Sequence, residues 1–243
     1  MKLAALFAAL IAATIDAQSP GPTMKAIVAH QWGGPEVLKV EDVPLPQPKE
    51  NEILIKCFAA GVNSFDGTLL SGKYAKVFGT QLPWIPGYDV AGTVEKVGSN
   101  VKKFKAGDSV YAFISIPNGG GYAEYALAKE NQAALKPATL SFAEAAGVPS
   151  VALTAWQALV DKANVQPGQT VLIQGASGGV GMFAIPIAKI SGAKVFATAS
   201  TANQDFLKQL GADVAIDYKT QKFGEPVQSA VVLHRAARIA RLF

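Results

Sequence analysis

Cysteine and histidine are almost missing from this chain. Cys57 stands alone, and His30 and His234 are the two histidines. One thiol excludes an intrachain disulfide framework and a cysteine-rich zinc site, and three soft ligands at metal spacing do not exist in the sequence. No metal is therefore expected. Charge is sparse as well, with 16% Asp, Glu, Lys and Arg, so long disordered tracts are not expected. The net charge of +4 is mild and its lysines are scattered, which gives no support to nucleic-acid binding. After the first residues no apolar stretch approaches the about 20 residues of a membrane span without meeting charges. Internal repeats are absent too. What the chain does have is 243 residues, 50% of them hydrophobic, enough for one large domain or two small ones.

The apolar start has a recognisable form. Lys2 precedes Leu3 to Ile15, interrupted only by Thr14, and Asp16-Ala17 leads into the turn-prone Gln18-Ser19-Pro20-Gly21-Pro22. A short basic start, an apolar run and a small residue describe a secretory leader. The expectation is a leader over residues 1–23, cut after Ala17, in a secreted or ER-routed protein. Membrane association is expected only through that leader. The alternative is a cytoplasmic protein that starts at Met24. A mitochondrial signal would need arginine, and this segment has none.

From Met24 to about Pro137 the pattern is strand-like and punctuated by Gly and Pro. Lys25–Ala29, Leu38–Val43, Ile53–Phe58, Gly92–Val97, Ser109–Phe113 and Gly121–Ala128 read as short strands, and the region as an all-β lobe. From Ser141 the spacing of Phe142, Ala145, Ala146, Val151, Ala152, Ala155, Trp156 and Leu159 turns helical. Beyond Pro167-Gly168 strand and helix alternate: Thr170–Gln174, a helix from about Gly179, Lys194–Thr198, a helix from about Asn203, then Asp213–Asp217. That order, βαβαβ, indicates a parallel sheet.

The first turn of this unit carries the most specific signal. The run Thr170–Gln174 is followed by Gly175-Ala176-Ser177-Gly178-Gly179-Val180-Gly181 and an apolar helix. Gly178 lets the backbone approach a pyrophosphate, Gly181 lets helix and strand pack closely, and Ala176 replaces the usual first glycine. The free N–H groups of the helix start then face the anion. About 20 residues on, NAD-binding folds place a carboxylate for the ribose hydroxyls. Here the second strand ends in Ala199-Ser200-Thr201-Ala202-Asn203. With no carboxylate in that segment, and with Ser200 and Thr201 as donors, NADP(H) is favoured. The alternative is that these residues only cap the next helix.

With these motifs in place, the sequence resembles the medium-chain dehydrogenase/reductase superfamily, and within it the zinc-independent quinone oxidoreductases related to zeta-crystallin. The resemblance covers about residues 24–224. It rests on Gly87-Tyr88-Asp89-Val90-Ala91-Gly92, Val97-Gly98-Ser99-Asn100-Val101, Phe104-Lys105-Ala106-Gly107-Asp108, Gly120 to Tyr125, Thr154-Ala155-Trp156, the glycine loop, and Leu210-Gly211-Ala212-Asp213 with Asp217-Tyr218. It implies an α/β fold: a GroES-like β-rich lobe over 24–150, then a partial Rossmann lobe, a doubly wound parallel sheet, over 151–243. Zinc-dependent relatives carry a cysteine within the segment matching Gly61–Asp66, and a His-Glu pair where this chain has Tyr88-Asp89. The resemblance therefore implies metal-free hydride transfer from NADPH to a quinone or an α,β-unsaturated carbonyl.

By the same resemblance Asn63 stands near the nicotinamide and substrate, with Asp66 in support. Tyr74 and Tyr88 are candidate proton donors if a phenol pKa is tuned downward; the alternative for each is packing. Thr154 would contact the nicotinamide, unless it is an ordinary helix threonine. Tyr218 would stack near the 2′-phosphate, unless it only ends a strand. Ala176, Ser177, Gly178, Gly179, Val180, Gly181 and Ser200 complete the candidate coenzyme site. The family runs well past 300 residues, and the resemblance fades after Phe223-Gly224. The chain is thus expected to be truncated, with Ser229–Leu233 able to imitate one strand and the basic tail a short helix. Loss of later strands would leave the first strand of the parallel sheet with an unpaired apolar edge; a homodimer is possible, but the strands that usually form the dimer contact are missing. The competing expectation is a truncated NADPH-binding or interaction protein with little or no catalysis.

Overall fold

A computed structural model describes residues 21–116, 118–221 and 230–233. The expected cut after Ala17 and the basic tail from His234 lie outside the described residues. In chain order the elements are β1 (Thr23–Ala29), β2 (Leu38–Pro44), β3 (Glu52–Gly61), α1 (Ser64–Leu70), α2 (Ala75–Phe78), β4 (Asp89–Val97), β5 (Ser109–Phe113), β6 (Tyr125–Lys129), β7 (Ala133–Leu135) and α3 (Phe142–Ala146). There follow α4 (Pro149–Trp156), continued by a π-helical stretch over Gln157–Lys162, then β8 (Thr170–Ile173), α5 (Gly179–Ile190), β9 (Lys194–Ala199), α6 (Gln204–Gln209), β10 (Val214–Asp217) and β11 (Val231–Leu233).

The N-terminal strands form a curled antiparallel sheet in the order β6-β3-β4-β5-β7, with the β1-β2 hairpin beside it. Alternation builds its core: Ile53, Ile55, Val90, Val94, Val110, Ala112, Ala126 and Ala128 are buried together. The lobe is not all β. Helices α1 and α2 sit between β3 and β4, and Leu69 and Leu70 of α1 pack with Ala29, Trp84 and Tyr88 in a separate cluster. Helix α1 escapes a periodicity search because it is short. It starts where Asp66 Oδ2 accepts from the Asn63 N–H at 2.7 Å, one half of a capping box.

The second sheet is parallel, in the order β10-β9-β8-β11. Strand β8 is buried on both faces, as a crossover sheet requires. Ala155 and Leu159 reach its core from α4 and the π-helical stretch; Ala184, Ile185 and Ala188 come from α5, and Leu207 from α6. The unpaired edge expected on β8 is corrected here. Strand β11 pairs with it in parallel, Val231 with Val171 and Leu233 with Ile173. Val231 and Leu233 pack on the core cluster, so three apolar residues suffice to cover that edge. Among the described residues no helix is long and apolar enough to cross a membrane.

The lone thiol lies on β3. Cys57 Sγ is 3.7 Å from the Ile55 carbonyl oxygen, and burial pushes its pKa from 9.0 up to about 12.

Candidate active site

The loop after β8 turns where Gly175 takes a φ of +62°, a conformation costly for residues with a Cβ. Its N–H donates to Thr198 Oγ1 at 3.1 Å, and the Ala176 N–H donates to the Thr198 carbonyl at 2.8 Å. Helix α5 starts at Gly179 with Gly178 as an extended N-cap and no side chain bonded to its first amides. Gly178 and Gly179 are exposed. A Cβ on Gly178 would come no closer than 3.3 Å to a neighbour, whereas one on Gly181 would lie 2.4 Å from Ala176. The two glycines thus have different tasks: Gly181 brings helix and turn together, and Gly178 keeps the mouth of the helix open. Ala176 is fully buried and belongs to the packing. Ser177 and Val180 are half-buried at the rim. Amides at a helix start with no capping side chain, beside two exposed glycines, suit a diphosphate.

Beside this mouth Asn203 Nδ2 lies 3.3 Å from Ser177 Oγ and 3.2 Å from Ser200 Oγ. Tyr218 follows β10 and is largely exposed; its N–H donates to the Ala199 carbonyl at 3.2 Å. The segment at the end of β9 has no carboxylate of its own, but one reaches it from another strand. Thr201 Oγ1 donates to Asp217 Oδ2 at 2.6 Å, and this bond is the leading cause that holds Asp217 below the usual carboxylate range. The acid comes from the third strand, where parallel register sets Asp217 opposite Ala199. A search at the end of the second strand could not find it.

Across the other lobe, Asn63 Nδ2 donates to Asp89 Oδ2 at 2.9 Å. Asp89 Oδ1 accepts from the N–H and hydroxyl of Ser150, at 2.9 and 2.8 Å. The Thr154 hydroxyl donates to the Ser150 carbonyl at 2.7 Å. Asn63 and Thr154 are thereby joined through two residues that the sequence did not single out. Tyr122 is a third: its hydroxyl donates to Asp66 Oδ2 at 2.8 Å. Burial pushes the carboxyls of Asp66 and Asp89 up, and their hydrogen-bond donors pull the other way.

The two candidate phenols fare differently. Tyr88 is 1% exposed and packs against Phe65, Trp84 and Phe113. Its hydroxyl has no hydrogen-bond partner, and burial, with the Asp66 charge, drives its pKa upward. The expectation of a phenol tuned downward at the cleft is corrected for Tyr88, because an apolar shell disfavours phenolate. Tyr74 precedes α2 and is half-buried. Its ring lies 6.5 Å from that of Phe78, and Lys73 Nζ is 5.5 Å from its centroid.

Comparison with known proteins matches residues 49–138 to the alcohol dehydrogenase GroES-like domain and 179–234 to the zinc-binding dehydrogenase family. Both matched segments are those of the medium-chain dehydrogenase/reductase superfamily, which the chain resembles. It is 45% identical over 193 residues to a chloroplastic quinone-oxidoreductase homolog of Spinacia oleracea, covering 77% of this chain and 59% of that one. It is 44% identical to an NADPH-dependent alkenal/one oxidoreductase of Arabidopsis thaliana, covering 86% and 56%. A quinone oxidoreductase structure from Coxiella burnetii superposes with a TM-score of 0.77 at 41% identity, over 83% of this chain and 64% of that one. The chain thus spans about three fifths of the relatives' length. Among the described residues no three His, Cys, Asp or Glu cluster to hold a metal, and the carboxylates flanking Asn63 are engaged by Ser150, Tyr122 and Asn63 itself.

Proposed function

We propose that the chain is an NADPH-dependent oxidoreductase that reduces quinones or α,β-unsaturated carbonyls without a metal. The observation that carries this reading is the open, glycine-lined start of α5 beside Ser177, Ser200 and Asn203. The names of the relatives, quinone oxidoreductase and alkenal/one oxidoreductase, support the acceptor class. When bound, the nicotinamide supplies the hydride. The α5 amides would hold the diphosphate, and Ser200 with Asn203 the 2′-phosphate under Tyr218. Asn63 and Thr154 would orient the ring, and Tyr74 remains the candidate proton donor. The lobe division at 150 and 151, a small-molecule substrate rather than nucleic acid, and secretory routing by residues 1–23 belong to the same proposal. Peptide mapping of the mature N-terminus separates a cut after Ala17 from a start at Met24.

A second reading, coenzyme binding with little turnover, is favoured by the burial of Tyr88, which leaves Tyr74 as the one candidate donor phenol. Titration of the full chain with NADPH and NADH, followed by a panel of quinones and enones, tests both. Tight NADPH binding with turnover supports the enzyme, and binding without turnover supports the second reading. Absence of binding to either coenzyme would sink both.

A further inference from the structure

Asp89 is among the most enclosed charged groups of the chain, 1% exposed, yet the function above assigns it nothing. Its oxygens accept three hydrogen bonds from two separate elements: Ser150 in the first turn of α4, and Asn63 at the start of α1. The close fit reaches the backbone. A Cβ on Gly61 would lie 2.9 Å from the Asp89 Cβ and 2.5 Å from the Ala146 carbonyl oxygen. Helix α4 also abuts the glycine loop, since a Cβ on Gly179 would lie 2.9 Å from a Val151 methyl. One carboxylate therefore ties Asn63 to the helix that bears Thr154 and borders the coenzyme loop.

Chemistry fixes the sense of this contact. A carboxylate accepts and does not donate, so the Asn63 amide must present its nitrogen to Asp89. The amide oxygen is left facing the other way, and it makes no cap hydrogen bond at the start of α1. The backbone N–H of Asn63 is pinned separately by Asp66. We propose that Asp89 is a positioning residue that locks the Asn63 amide oxygen outward, so that Asn63 recognises a hydrogen-bond donor, such as the carboxamide NH2 of a nicotinamide. This rests on the coenzyme reading above and adds to it the polarity of the Asn63 contact and the residue that sets it.

The isosteric variant Asp89→Asn tests it. The new amide can keep its oxygen on Ser150, but its nitrogen then faces the Asn63 nitrogen, and the Asn63 amide turns over. NADPH affinity is expected to fall about tenfold, the scale of one lost hydrogen bond. Affinity for adenosine 2′,5′-bisphosphate, which lacks the nicotinamide, should stay within about twofold. Asn63→Ala should cost as much alone as in combination with Asp89→Asn, because the two act as one unit. Ser150→Ala, which keeps the carboxylate, should give a smaller loss in the same direction and serves if Asp89→Asn folds poorly. Without any ligand, side-chain amide NMR should show slow exchange of the Asn63 NH2 protons in the parent and fast exchange in Asp89→Asn. Unchanged exchange, or equal losses of both nucleotides, would overturn the proposal. A parent chain that binds neither nucleotide would instead overturn the coenzyme reading and the ligand half of this one, and exchange alone would decide the positioning half.

Discussion

At the scale of single residues, the two glycines of the proposed coenzyme loop can be told apart by experiment. Gly178 has an extended backbone, a Cβ there would meet only the Gly175 carbonyl oxygen, at 3.3 Å, and aspartate is a favoured N-cap. Gly178→Asp should therefore keep its thermal midpoint while losing coenzyme affinity at least a hundredfold, because a carboxylate occupies the anion's place. Gly181→Ala should show the opposite pattern. Its new methyl meets the Ala176 backbone at 2.4 Å, and urea denaturation should read a loss of about 1–3 kcal/mol. Asp217→Asn should raise the preference for NADPH over NADH several-fold in the same titration, since it removes a negative charge bonded to Thr201 beside Ser200. Asp66 gives a pH test. Its carboxyl is pushed up by burial from 3.8, and Oδ1 has no partner. The folded state thus holds the proton more firmly than the unfolded one. Its contribution is fullest below the ordinary aspartate range and is lost as pH rises through the folded value. Asp66→Asn can keep the bonds from Asn63 and Tyr122, so its thermal midpoint should exceed the parent's at neutral pH. That gap should close as pH falls toward 3.8.

At the scale of elements, local pattern showed most of the strands and less of the lone helices. Ser109–Phe113 and the start of α5 at Gly179 fall where alternation and the glycine loop put them. Gly121–Ala128 does not: its first half leaves the sheet, where the Tyr122 carbonyl accepts from the Ile27 N–H at 2.8 Å, and regular pairing begins only at Tyr125. Helices α1 and α2 are too short to carry a period, and tertiary contacts with the Trp84 and Tyr88 cluster hold them. Strand β11 has three residues and is stabilised by parallel pairing and by Val231 and Leu233 on the core. Leu233→Ala should cost about 1–2 kcal/mol, less than a fully buried leucine, and should speed amide exchange in β8, measurable by mass spectrometry.

For the whole molecule, the reading from sequence reached the two-sheet α/β architecture, the strand–glycine turn–helix unit and the family resemblance, because each rests on contiguous residues. It missed what only folding joins. Asp89 meets Ser150 across 61 positions, Tyr122 meets Asp66 across 56, and Asp217 reaches Thr201 across 16. No spacing rule links such pairs. Tyr88 misled for the related reason that a phenol in a family motif says nothing about which way its ring turns. The half-buried thiol of Cys57 has a bearing on the acceptors proposed here. Quinones and enones alkylate proteins by Michael addition to thiolates, and a thiol with a pKa of about 12 is ionised at neutral pH only at roughly one part in a hundred thousand. Addition of such electrophiles to the sole sulfhydryl is slowed in step with that small thiolate fraction.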